Sequence, residues 1–229
     1  MDAEFWFVSV SLALLAVALA GLSVRGLVKF FRGGTRTQLW WGLGLGLGSA
    51  GMVVEFVTYL GVTDPLLLQF YIFLSAGIVG VLSLGSACAY RSPRFERGYT
   101  LYQAVCLSLV LFFSFDVPAP ANMVTQGIIT GNPSLLLLAL SSLVTVPATV
   151  VLLLAAVLSL RRSFRWRGLL IVIGASVLGA GGAFYIASFP VALYYAEFIG
   201  IVTLFFGLVD LTKFSVVAPV PHTTASKAA

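Results

Sequence analysis

Seven apolar stretches, each long enough to cross a bilayer, alternate along this chain with short connections, and all thirteen Lys and Arg residues fall on one side of that pattern. Arg25, Lys29, Arg32 and Arg36 follow the first stretch; Arg91, Arg94 and Arg97 the third; Arg161, Arg162, Arg165 and Arg167 the fifth. Lys213 and Lys227 come after the seventh. A span needs about 20 apolar residues to cross a hydrocarbon layer of roughly 30 Å. Cationic loops resist translocation and stay cytoplasmic. The pattern therefore predicts an all-α polytopic membrane protein of seven transmembrane helices, N-terminus outside and C-terminus inside, as a multi-pass protein of the cell membrane.

Composition narrows this further. Of 229 residues 60% are hydrophobic and 9% charged, with a mean hydropathy of +1.06, too little polar surface for a water-soluble fold of this size. Residues 1–213 read as a single transmembrane domain. Residues 214–229, ending VAPVPHTTASKAA, read as a disordered cytoplasmic tail. The net charge of +5 sits at helix ends, not on a folded patch with interleaved aromatics. It predicts anionic lipid headgroups at the cytoplasmic face as the partner, with a membrane-protein partner or a second copy of the chain next, and no nucleic acid. Asp2 and Glu4 precede the first apolar run and the bases follow it, so that run reads as an uncleaved helix.

The spans are expected at about Phe5–Leu27, Leu39–Leu60, Leu66–Tyr90, Tyr99–Val117, Leu135–Leu160, Gly168–Phe189 and Val191–Thr212. Trp40 and Trp41 open the second as an interfacial pair, GVTDP (Gly61 to Pro65) makes a tight outer turn, and Pro147 predicts a kink in the fifth. The outer connection Pro118–Ser134 is almost uncharged, and its middle is expected as a short interfacial helix. Spans 1 to 3 and 5 to 7 share a plan: an apolar helix, a basic inner loop, a glycine-rich helix, a turn ending in Pro65 or Pro190, and an aromatic-rich return. A 3+1+3 parallel repeat would explain it; so would the fact that any seven-span chain contains two such triplets.

In the second span Gly44, Gly48, Gly51, Glu55 and Tyr59 share one helical face, and the sixth repeats the theme with Ala175, Gly179 and Ala183. Small residues let helix backbones approach in lipid, so Gly44, Gly48, Gly51 and Gly179 are read as helix-packing positions. Glu55 lies in the outer third of its span and Glu197 at similar depth in the seventh, with no Lys or Arg near either. An ionised carboxylate at the bilayer centre costs about 2.5–3.5 kcal/mol on insertion scales. Each therefore needs a partner or a proton. Hydroxyls and amides are the expected partners, chiefly Tyr59 and Tyr71, with Gln69, Tyr185, Tyr194 and Tyr195. Glu55, Glu197, Tyr59 and Tyr71 form the candidate proton, cation or solute site. The alternative is two neutral acids serving as interhelical hydrogen-bond donors. Asp210 is expected to pair with Lys213.

Catalytic signatures are missing. The single histidine, His222, is in the tail, so bis-histidine haem ligation has no ligands. No HExxH and no Ser/His pair is present. Cys88 and Cys106 sit in or near spans 3 and 4, which argues against a structural disulfide. No catalytic residue, metal ligand or cofactor is expected, and the chain is read as non-enzymatic.

Three resemblances follow. Length, span number and orientation are similar to microbial rhodopsins, but the last span lacks the mid-membrane lysine that retinal needs. The 3+1+3 plan resembles the SWEET and PQ-loop transporters in topology; their Pro-Gln signature has no match, because Ala148 follows Pro147. The stretch from WWGLGLGLGSAGMVVEF to YIFLSAGIVGVLSLGSACAY (residues 40–90) resembles a group of uncharacterised prokaryotic seven-helix integral membrane proteins, which implies a fold and no activity. The sequence thus points first to a small transporter or channel for a small solute, cation or proton. The alternative is an accessory subunit or sensor of a larger membrane complex.

Overall fold

The computed structural model describes residues 3–90, 92–116, 124–125, 128–129, 134–162, 169–170, 173–174, 177 and 198–203. Within them the chain is helical apart from short turns and one two-residue ladder. The helices are α1 (Ala3–Phe31), α2 (Arg36–Tyr59), α3 (Pro65–Ala87), α4 (Pro93–Asp116) and α5 (Leu135–Arg162), with a 3-10 turn over Cys88–Tyr90. Five helices are long and apolar enough to cross a membrane. The sixth and seventh expected spans, with Gly179, Glu197, the turn at Pro190, the Asp210–Lys213 pair and the tail, lie outside the described residues or are represented only by short helical pieces.

Each helix end has a local cause. Gly33 (φ +92°) and Gly61 (φ +97°) take the left-handed conformation just beyond α1 and α2, which only glycine adopts without strain. Gln38 Oε1 accepts from the Thr35 backbone N–H at 3.0 Å at the start of α2. Asp64 Oδ1 accepts from Leu66 N–H at 2.7 Å and caps α3, whose first residue is Pro65. The charged helix ends run past the hydrocarbon-length segments read from hydropathy. In particular α4 begins at Pro93, six residues ahead of the expected Tyr99, because PRFERG coils as helix before its apolar part starts.

Neighbouring helices in sequence pack antiparallel. Ser23 Oγ donates to Gly42 O at 2.7 Å, and Ser49 Oγ to Ala16 O at 2.9 Å, joining α1 to α2. A Cβ on Gly42 would come within 3.0 Å of the Leu27 side chain. On the other face, a Cβ on Gly44 would lie 2.8 Å from Leu82, and those on Gly48 and Gly51 would meet Ile78 at 3.7–3.8 Å. The glycines of α2 therefore serve two neighbours at once, Gly42 toward α1, Gly44 and Gly51 toward α3, and Gly48 between them, its Cβ position 3.4 Å from Leu19 of α1 and 3.8 Å from Ile78 of α3.

Among the described helices α3 is the central one, touching α2, α4 and α5. Its second half is almost wholly buried from Gly80 to Ala87, which its small residues (Gly80, Ser83, Gly85, Ser86 and Ala87) make compatible with close packing. Trp41 and Trp40 of α2 pack inside the bundle at this end. Trp41 joins the cluster of Leu12, Leu15, Leu19, Met52 and Leu82, and Trp40 packs on Leu84, Tyr99 and Val151. The Trp41 indole approaches Gly85 so closely that a Cβ there would overlap its Cδ1 at 1.8 Å. Lys29, Arg32, Arg36, Arg94 and Arg97 lie at the same end of the bundle by this antiparallel packing. One exposed ion pair, Arg36–Glu96 at 3.4 Å, links α2 to α4 there; such a pair contributes at most about 1 kcal/mol. Outward faces carry large apolar side chains, including Val10, Leu14, Val17, Leu101, Phe112, Val146 and Val150. That is the surface a bilayer solvates and water does not.

The middle of the connection between α4 and α5 departs from expectation. Where a short interfacial helix was predicted, Val124–Thr125 (β1) and Ile128–Ile129 (β2) form an antiparallel ladder. A hairpin pairs its backbone groups internally and leaves Ile129 free to insert: it is 2% exposed and packs with Val54, Leu68, Tyr71, Ile72 and Leu137.

Helix α5 runs through Pro147 as one helix. Proline has no N–H, so Leu143 O loses its intrahelical donor. Tyr102 of α4 supplies the replacement, its hydroxyl donating to Leu143 O at 2.6 Å.

Candidate functional site

The bundle end remote from the basic residues is where Glu55 sits. Its position on α2, one turn beyond Gly51, turns its side chain toward α3, and it is 2% exposed. Tyr71 of α3 donates its hydroxyl to Glu55 Oε1. Glu55 Oε2 is buried with no hydrogen-bond partner, and so is Thr58 Oγ1, one turn further along α2. Thr58 is itself fully buried. The α1–α2 register that pairs Ala16 with Ser49 and Ser23 with Gly42 carries Ser9 to the level of Phe56, and Ser9 Oγ is a third buried oxygen without a partner.

The structure thus brings Glu55 and Tyr71 together. Tyr59 packs instead with the cluster of Leu12, Leu15 and Met52. Gln69 is buried near the start of α3. Glu197 lies outside the described residues. The surroundings of Tyr71 are apolar: Val54, Leu68, Ile72, Leu74, Ile129 and Leu137 form one buried cluster with it. Basic side chains on α2 are remote. Arg36 is nineteen residues from Glu55, roughly 28 Å along the axis. Among the described residues no group of three or more His, Cys, Asp and Glu side chains is placed to hold a metal ion.

A second polar cluster joins α3, α4 and α5, and sequence reasoning did not single it out. Gln103 is fully buried. Its amide donates to Tyr99 OH at 2.7 Å and to Val144 O at 3.3 Å. Tyr99 OH and Ser83 Oγ lie 2.7 Å apart, and Ser83 Oγ donates to Gly80 O at 2.6 Å. With the serine proton spent on Gly80 O, Tyr99 donates to Ser83 and accepts from Gln103. The chain has one direction, from Gln103 through Tyr99 and Ser83 to Gly80 O. It carries no charged group, and its chemistry is that of interhelical hydrogen bonding. The readable signal was the mid-span amide, four residues after a tyrosine.

At the basic end, burial pushes the Cys88 thiol up to about 11, with the Glu96 carboxylate adding to the rise and Arg36 opposing it. Burial also raises the Tyr90 phenol, helped by Tyr99. Cys88 and Cys106 are both free. A neutral, half-buried thiol is a poor nucleophile.

No family model matches this sequence, and neither the curated proteins nor the solved structures contain a match to it.

Proposed function

We propose that this protein is a small, non-enzymatic transporter or channel for a small solute, cation or proton, oriented N-terminus out. Glu55 and Tyr71 are its outer-side binding groups, and Glu197 is a second acid of the same path. One observation carries the reading: Glu55 is buried between membrane-length helices, holds a single hydrogen bond, and keeps one carboxyl oxygen unspent. Ionisable groups inside a membrane mark substrate and ion paths because their burial is costly.

The test is flux in proteoliposomes under an imposed gradient of protons, Na⁺ or K⁺, comparing wild type with Glu55→Gln. Flux by the wild type that drops to the level of empty vesicles in the variant, with unchanged yield and thermal stability, supports the reading. Equal flux in the two proteins removes Glu55 from the path. Purification in mild detergent with a stoichiometric partner protein, and no flux from the isolated chain, would mean an accessory subunit instead.

A further inference from the structure

We propose that Ile129 is the apolar outer barrier of the Glu55–Tyr71 site: brought in by the β1–β2 ladder, its side chain closes the acid off from the outer aqueous phase. This rests on the reading of Glu55 as a binding group and names the residue that controls entry to it. Glu55 is shallow. It lies four residues before the end of α2 at Tyr59, roughly 6 Å along the axis, and Tyr71 lies six residues beyond Pro65, roughly 9 Å from the start of α3. Yet Glu55 is 2% exposed, so something must cover it at that end. The turn joining α2 to α3 does not, because Leu60, Val62 and Leu66 are all exposed.

The ladder stands at this same end, between the last residue of α4, Asp116, and the first of α5, Leu135. Its register sets Val124 opposite Ile129, and residues directly opposite on paired strands share one face. That face is turned inward: Ile129 is buried in one cluster with Val54, Leu68, Tyr71, Ile72 and Leu137, and Val124 packs against the same cluster. Strand β2 also touches α2. Val54 precedes Glu55 in the chain, and Tyr71 bonds its carboxyl, so the cluster that Ile129 completes flanks the acid on both helices. Every other buried member of the cluster is fixed on a helix. Ile129 alone hangs from a ladder of two residue pairs, too short to hold itself in place. Its burial therefore fixes the ladder, and an apolar side chain in that position bars water and ions, as hydrophobic constrictions do in channels.

The experiment measures how fast a membrane-impermeant quaternary-ammonium carbodiimide, with taurine as the trapping amine, modifies Glu55 of the full-length protein in sealed right-side-out vesicles. Mass spectrometry of the Glu55 peptide reads the rate. Against wild type, Ile129→Ala should raise it on the order of tenfold or more, through the loss of three buried carbons. Ile129→Val, the variant to use if Ile129→Ala does not fold, should raise it about fourfold. Ile129→Leu, which conserves volume, should leave it unchanged. Leu74→Ala takes as much from the same cluster, three residues deeper than Tyr71 on α3, and should also label at the wild-type rate. An unchanged rate in Ile129→Ala, or in Ile129→Val where that variant stands in, overturns the proposal. So does an equal rise in Leu74→Ala, which would mean a general loosening. A rise confined to inverted vesicles overturns it too, by putting Ile129 on the inner side. Faster labelling of Glu55 through Ile129→Ala in a protein without flux leaves the barrier standing and removes the transport reading. Glu55-dependent flux with labelling indifferent to Ile129 does the reverse.

Discussion

Pro147 and Tyr102 offer the sharpest quantitative test of how this bundle is held together. The proline leaves Leu143 O without an intrahelical donor, and Tyr102 OH reaches that oxygen at 2.6 Å from the neighbouring helix. Leu143 is on an outward face, where lipid cannot replace a lost donor. Interhelical hydrogen bonds in membranes average about 0.6 kcal/mol and reach about 1.7; an unsatisfied buried group costs about 1–3 kcal/mol. Tyr102→Phe removes the one inter-helix donor, among the described residues, to a carbonyl that its own helix cannot serve, so its cost should fall near the top of the membrane range, about 1.5 kcal/mol. In a Pro147→Ala background residue 147 regains its N–H and bonds Leu143 O itself. The same Tyr102→Phe substitution should then cost less than about 0.5 kcal/mol, leaving only the value of a second bond to one oxygen. The assay is reversible unfolding in mixed micelles for all four members of the double-mutant cycle, with the coupling energy as the readout. Equal costs of Tyr102→Phe in the two backgrounds would refute the reasoning, because the hydroxyl would then not be answering the proline.

Two further outcomes follow from the basic end. Gly85→Ala places a methyl 1.8 Å from Trp41 Cδ1, so the indole must move; overpacking of this kind costs about 1–3 kcal/mol. Thermal melts should show that loss, and the loss should vanish in a Trp41→Ala background. Alkylation of Cys88, followed in a Cys106→Ser protein, should be slow at neutral pH and rise with pH toward about 11, because a raised pKa keeps the thiol neutral below it. Glu96→Gln should speed the reaction, removing a carboxylate that raises the pKa, and Arg36→Ala should slow it; identical rates in all three proteins would contradict the electrostatic account.

The helices α1 to α5 were legible because a bilayer sets a minimum apolar length, and their run lengths exceed it. Their ends were less so. Hydropathy reports the hydrocarbon-facing segment, whereas α4 begins in the charged PRFERG stretch that water solvates equally well as helix. The hairpin at Val124–Ile129 carried no signal: its strands are two residues long, and Ile129 is buried by the end of a bundle distant in sequence. Tyr71 could be named as a partner for Glu55 because depth can be counted from a span's ends. Choosing Tyr71 over Tyr59 required the rotation of α3 about its axis, which α2's glycine face and the small residues of α3 decide together. Thr58 and Gln103 escaped notice because a hydroxyl or amide amid apolar residues has no charge to flag it. Burial in the folded bundle is what makes such a group conspicuous.

The tight connection between α2 and α3, with Gly61 in its left-handed conformation and Asp64 capping the next helix, also bears on how the chain is made. A ribosome delivers Glu55 sixteen residues before Tyr71, and α2 entering the bilayer alone would bring an acid with no donor. A five-residue turn lets the two helices partition together as one antiparallel pair, so the carboxyl and its phenol cross the interface already joined. Were the α2–α3 pair the unit of membrane integration, the cost of burying the acid would be met before the later helices have left the ribosome.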